Sequence, residues 1–163
     1  MDTADPLLSG SPIERYLRDL HGRYAALQDG QVADYIPELA KADPDWFGIC
    51  IATRDGHVYE VGDTRQVFTI QSISKALSYG LALEDRGEDF ILSRVGVEPS
   101  GEAFNAISLK PETGAPFNPM INAGAIATCG QILEPSDQTR IQRILDYLSA
   151  CAGRRLDVDA AVI

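Results

Sequence analysis

Histidine, cysteine and basic residues are scarce in this sequence, and each shortage removes a class of chemistry. The only histidines are His21 and His57, and no Cys-x-x-Cys or His-x-x-x-His spacing occurs. No metal centre or other cofactor is therefore expected. A Ser-His-Asp triad also lacks support, because His57 falls in a polar hairpin and His21 on an amphipathic helix. The three cysteines, Cys50, Cys129 and Cys151, are far apart in apolar segments. They read as buried small hydrophobes in a reducing compartment, not as a disulfide frame. Lys and Arg total 14 against 24 Asp and Glu, for a net charge of −10 and a pI near 4.5. That sign argues against nucleic acid or an anionic membrane as partner and reads as an acidic coat that favours solubility. No apolar run approaches the ~20 residues needed to span a bilayer. The start, Met1-Asp2-Thr3-Ala4-Asp5-Pro6, lacks the basic and apolar regions of a signal peptide. A cytoplasmic protein is expected.

What is present fits one globular domain with a real core: 163 residues, 45% hydrophobic and 23% charged. Residues 1–11 are rich in Gly, Ser, Pro and Asp and read as a flexible start, leaving 12–163 as the folded part. Ile13, Tyr16, Leu17, Leu20, Tyr24 and Leu27 recur at helical spacing, which predicts an amphipathic helix over 12–28 ending near Gly30. Pro37 permits a short helix to begin after Asp34-Tyr35-Ile36. Trp46 to Thr53 and Val58 to Val61 read as paired strands around the Asp-Gly turn signal of Arg54-Asp55-Gly56. Further helices are expected from about Ser72 to Arg86 with Gly87 as C-cap, over Met120–Leu133, and over 137–152. Short helical pieces and loops fill 88–120. Helix, hairpin and then several helices make an α+β order, not alternating βαβ.

The run Phe68-Thr69-Ile70-Gln71-Ser72-Ile73-Ser74-Lys75 carries the chemistry. Ser72 and Lys75 stand at i and i+3, on one face of a helix. A serine hydroxyl needs a base to become a nucleophile, and a lysine held dry beside it can be that base. Ser72 would sit at the helix start, where free backbone N–H groups and the dipole favour developing negative charge. Ala76, Leu77, Leu81, Ala82 and Leu83 make the segment after Lys75 apolar on most sides, which predicts a helix buried nearly all round. Under the bland alternative, Ser-x-x-Lys is solvated helix surface.

Four ordered motifs extend the pattern: Val32-Ala33-Asp34-Tyr35-Ile36-Pro37-Glu38-Leu39-Ala40; Gln71-Ser72-Ile73-Ser74-Lys75; Glu98-Pro99-Ser100-Gly101; and Asn118-Pro119-Met120-Ile121-Asn122-Ala123-Gly124-Ala125-Ile126. Together, from about Ile13 to Cys151, the chain resembles the serine-dependent glutaminases, enzymes of the β-lactamase/transpeptidase-like fold. The resemblance implies hydrolysis of L-glutamine to L-glutamate and ammonia through an acyl-enzyme. Ser72 would be the nucleophile, Lys75 its base, and Tyr35 a hydroxyl that helps relay protons. Gln71 would border the substrate pocket, and Asn122 would bind the amino-acid end of glutamine. No cofactor is implied, and a homo-oligomer, dimer or tetramer, is. Tyr35 reads alternatively as a packing tyrosine, Asn122 as a residue satisfying turn backbone, and Asn118 before Pro119 as a turn or cap residue. Members of that family have a second half that supplies further pocket residues and sheet strands. The chain is therefore expected to be the amino-terminal portion of such a domain, with an incomplete sheet. Two other classes stay open: a catalytically silent truncated partner, and a penicillin-recognising serine hydrolase. The second should carry Ser-x-Asn or Tyr-x-Asn and Lys-Thr-Gly motifs, which this sequence lacks.

Overall fold

The capping box of Ser11 and Glu14 starts the described chain in a computed structural model that covers residues 10–162. Glu14 N–H donates to Ser11 Oγ at 3.2 Å, and Ser11 N–H donates to the Glu14 carboxylate at 2.6 Å. Pro12 follows at the first helical position. The expectation of a flexible 1–11 falls mostly outside the described residues; of those inside, Ser11 is the N-cap and the Gly10 carbonyl accepts from Arg15 at 2.7 Å.

The described residues fall into two compact units, one of residues 10–68 with 159–162 and one of Thr69–Val158. In the first, α1 (Pro12–Tyr24) packs against an antiparallel hairpin of β1 (Gly48–Ala52) and β2 (Val58–Gly62). The register runs from Gly48 opposite Gly62 to Ala52 opposite Val58. Gly56 turns the hairpin at φ +90°, with its N–H donating to Thr53 O at 3.0 Å. His21 stacks on Phe47 with centroids 4.8 Å apart. This close fit needs Gly62, where a Cβ would meet Phe47 O at 2.2 Å and His21 Nε2 at 2.3 Å. α1 stops at Tyr24, short of the expected 28. Tyr24 and Leu27 are 54% and 60% exposed, and a helix end without a packing partner gains little from continuing. A single 3₁₀ turn, Leu39–Lys41, follows Pro37.

The second unit is helical: α2 (Ile73–Arg86), α3 (Glu88–Leu92), α4 (Asn122–Gln131) and α5 (Arg140–Ala152). α2 is the hub, packed on α3, α4 and α5. Leu81, Ala82, Ile91 and Ile132 form its core, flanked by Tyr79, Leu83, Ile144 and Tyr147. Gly87 caps α2 at φ +80° as expected, and Gly153 ends α5 in the left-handed conformation. Three arginines meet the carbonyls where α4 runs out. Arg86 Nε donates to Gln131 O at 3.0 Å, Arg140 Nε to Ile132 O at 2.9 Å, and Arg143 Nη1 to Leu133 O at 3.0 Å. Arg143 also forks onto the buried Asp85 carboxylate, joining α5 to α2.

Two burial expectations are corrected. α2 buries one side through Ser78, Leu81 and Ala82, whereas Ile73 is 56% exposed and Ala76 is exposed. Its neighbours among the described residues cover that side alone. Cys50 and Cys151 are exposed and only Cys129 is half-buried; all three are free thiols. An apolar neighbourhood in sequence did not place those two side chains on a covered face.

Candidate active site

Among the described residues, backbone strain lies one residue before Ser72. Gln71 holds φ +42°, the one non-glycine at positive φ among the described residues. The left-handed conformation costs a side-chain-bearing residue about 1–2 kcal/mol, and such residues cluster at functional sites. Two local bonds sustain it: Gln71 Nε2 donates to Thr69 Oγ1 at 3.1 Å, and Ser74 Oγ donates to Gln71 O at 2.7 Å.

This turn delivers Ser72 to the N-cap of α2 with its side chain uninvolved in capping. Ser72 is exposed, and its hydroxyl has no hydrogen-bond partner among the described residues. The expected cluster of free N–H groups is thinner than sequence predicts. Ile73, Ser74 and Lys75 donate to Ile70 O, Gln71 O and Ser72 O in tight i→i−3 turns. The Ser72 N–H is left at this helix end without a backbone partner.

Lys75, one turn on and half-buried, reaches across to the start of α4. Its Nζ donates to Met120 O at 2.9 Å and to Asn122 Oδ1 at 2.6 Å. It also lies 5.8 Å from the ring centroid of Phe104, whose carbonyl accepts the Asn122 N–H at 2.9 Å. Among the described residues no carboxylate pairs with Lys75. With Asn122 Oδ1 accepting from Lys75, the Nδ2 group of Asn122 is not used in this contact.

Asn118 builds the turn that makes this approach possible. Its Oδ1 accepts from the N–H groups of Met120 (3.0 Å) and Ile121 (3.2 Å), and its Nδ2 donates to Glu98 O at 2.9 Å. Pro119 and Gly124 complete it; a Cβ on Gly124 would stand 1.8 Å from Asn118 O. The Glu98 carboxylate pairs with Lys110 at 2.6 Å, and that hydrogen bond holds its carboxyl below the usual carboxylate range. The Glu98 and Asn118 motifs are thus one framework behind Lys75.

Gln71, Ser72, Lys75 and Asn122 therefore lie in one unit, with the side chains of Lys75 and Asn122 bonded to each other and those of Ser72 and Lys75 not. Tyr35 belongs to the other unit, 73% exposed in the bend before the 3₁₀ turn. Of the histidines, His21 Nε2 contacts Phe47 O at 3.1 Å and His57 pairs with Asp55 at 3.1 Å. Sequence reading missed Phe104 and the Met120 carbonyl. The one signal for Phe104 was a large aromatic among small and polar loop residues; a main-chain carbonyl leaves none.

The Glutaminase family profile matches residues 30–163. The chain belongs to the glutaminase family. It is 50% identical to a glutaminase of Microcystis aeruginosa over 99% of this chain and 49% of that protein. It is 54% identical to a glutaminase of a Nostoc species over 93% of this chain and 46% of that one. Among solved structures, it resembles Mglu in its tris and glutamate form with a TM-score of 0.84 and 46% identity, covering 94% of this chain and 35% of that one. A probable glutaminase from Bacillus subtilis complexed with 6-diazo-5-oxo-L-norleucine is similar at a TM-score of 0.75 and 33% identity, over 95% of this chain and 47% of that one. The chain spans about half the length of the curated relatives it matches. Its fold is α+β, a partial β-lactamase/transpeptidase-like arrangement with a small unclosed antiparallel sheet. No helix of the described residues is long and apolar enough to cross a membrane.

Proposed function

We propose that this chain carries the nucleophile half of a glutaminase site that hydrolyses L-glutamine to L-glutamate and ammonia. Ser72 Oγ attacks the carboxamide carbon while its proton passes to Lys75 Nζ. The tetrahedral oxyanion meets the Ser72 N–H, the donor left open at the start of α2. Collapse of the intermediate breaks the C–N bond, and Lys75 returns the proton to the departing ammonia. Water then cleaves the acyl-enzyme by the same route in reverse order. A neutral amine donating two N–H bonds, to Met120 O and Asn122 Oδ1, still has a lone pair for the Ser72 proton. That two-point anchoring of Lys75 on the Asn118–Ile126 motif is the observation that carries the reading.

Asn122, with Oδ1 held by Lys75, offers Nδ2 donors to the substrate carboxylate. Gln71, with Nε2 tied to Thr69, offers Oε1 to the substrate ammonium. Tyr35 takes the proton-relay role that the family resemblance implies. Residues 12–163 act as the amino-terminal portion of the glutaminase domain. The protein works in the cytoplasm, where its free thiols fit a reducing compartment, and as a homo-oligomer.

Ammonia release from glutamine tests the assignment. Ser72→Ala should lower it by about 10³-fold or more, while Ser74→Ala, whose hydroxyl serves the Gln71 turn, should retain it. The opposite outcome rejects Ser72 as nucleophile. A silent glutamine-binding partner is the second reading, favoured by the exposed Ser72 hydroxyl without a bond to Lys75. Calorimetric binding of glutamine with no ammonia release would select it.

A further inference from the structure

We propose that Phe104 is a positioning residue for Lys75, its ring facing the charge that Lys75 gains when it takes the proton of Ser72. The proposal rests on the reading of Ser72 and Lys75 as nucleophile and base.

Phe104 is 66% exposed, so it is not held in place by a core. The loop around it is held instead by local bonds. Ser108, buried, donates its hydroxyl to the Glu102 carboxylate. Glu102 N–H donates to Ser100 Oγ at 3.3 Å, and Ala106 N–H to Ala103 O at 2.9 Å. Phe104 O receives the Asn122 N–H at 2.9 Å. The loop is thereby tied to the residue that Lys75 contacts. One residue touches both groups, Asn122 through its backbone and Lys75 through its ring.

The ring is the π-face next to an amine that has no carboxylate partner among the described residues. An aromatic face within about 6 Å attracts a cation, and Lys75 Nζ stands 5.8 Å from the Phe104 centroid. The positive charge appears on Lys75 only as the Ser72 Oγ–carbon bond forms. An interaction that strengthens at that moment raises turnover, not ground-state binding. Loss of the ring should act on kcat by about two- to fivefold, the range for an exposed contact of this kind. KM for glutamine should hold, because the Asn122 tie runs through the Phe104 carbonyl, which any substitution keeps.

Lys75 can be read directly, because the chain has only two other lysines, Lys41 and Lys110. The full chain is treated with limiting acetic anhydride, and acetylation at Lys75 is measured against Lys41 by mass spectrometry. The reagent reaches the amine only from the sides that the ring leaves open, so the ratio reads whether the ring lies over Lys75 Nζ, and kcat at unchanged KM reads its effect on turnover. Phe104→Leu should therefore raise the Lys75/Lys41 ratio about two- to fivefold, and Phe104→Trp should restore it. Equal ratios in the wild type and Phe104→Leu, or a ratio in Phe104→Trp as high as in Phe104→Leu, would overturn the proposal. Circular dichroism checks that each variant folds. If Ser72→Ala left ammonia release intact while Phe104→Leu still raised the ratio, the nucleophile assignment fails and the Phe104–Lys75 contact stands. An inactive Ser72→Ala beside an unchanged ratio rejects Phe104 alone.

Discussion

Gly124→Ala sets two effects of opposite sign against each other at one atom. Gly124 lies in the first turn of α4, where alanine ordinarily stabilises a helix by about 1 kcal/mol. Here the added Cβ would stand 1.8 Å from Asn118 O, 2.7 Å from Asn118 C and 3.0 Å from Pro119 Cα. All three are backbone atoms, so no side chain can swing away. Reaching even the 3.0 Å floor for real Cβ contacts requires helix and turn to part by about 1.2 Å. Forced overpacking of that kind costs about 1–3 kcal/mol, so the clash outweighs propensity. In the upper part of that range the net loss is about 1–2 kcal/mol, which should lower the melting temperature by roughly 2–8 °C for a chain of this size. Gly130→Ala is the internal control, since a Cβ there meets nothing within 4 Å and should raise it. The same displacement moves Met120 O and Asn122 away from Lys75. A shift of about 1 Å in a positioning contact can cost ~10² in rate. Thermal unfolding of both variants, followed by an ammonia assay, checks the two consequences together. If Gly124→Ala stabilises as much as Gly130→Ala, the close approach of α4 to the Asn118 turn is wrong.

Local signals in the sequence read well where the physics is local. The Asp55-Gly56 turn fixed the hairpin, Gly87 ended α2 at the residue expected, and the spacing of Ser72 and Lys75 survived as one turn of helix. Asn118 was legible as a turn residue because Asn before Pro has few other uses, and its side chain does organise Met120 and Ile121. Burial was less legible. Ile73 and Ala76 lie on the side of α2 that its described neighbours leave bare, and hydrophobicity alone does not say which face meets a partner. The start of α2 also differed. Sequence placed free N–H groups there, but a left-handed Gln71 tightens the chain into i→i−3 turns that occupy three of them. Phe104 escaped notice because its contact with Lys75 spans two distant segments and follows no periodicity.

Three further outcomes are expected. Lys75→Arg should lower ammonia release by about 10²–10⁴-fold, the usual share of a general base, because a guanidinium does not give up its proton; near-normal turnover would exclude Lys75 as base. Gln71→Val should lose about 1–2 kcal/mol in urea unfolding, since a β-branched residue resists the left-handed conformation, whereas Gln71→Gly should not. The last concerns acid stability. Burial by itself would raise the Asp85 carboxyl. The fork from Arg143, the Leu133 N–H at 2.8 Å and the charges of Arg143 and Arg86 outweigh it, so the net shift is downward. A carboxyl lowered by folding contributes stability that is present above its unfolded value, near 4, and is lost as pH falls through the folded one. Asp85→Asn removes that contribution and leaves Arg143 without its counter-charge, a change that costs about 3–5 kcal/mol for a buried pair and less here because Arg143 is 24% exposed. Wild type should therefore keep its advantage over Asp85→Asn from pH 7 down to about 4 and lose it as the pH falls from there towards about 2 in urea melts. A gap between the two proteins that stayed constant across that range would show that the Asp85 charge does not hold α5 to α2.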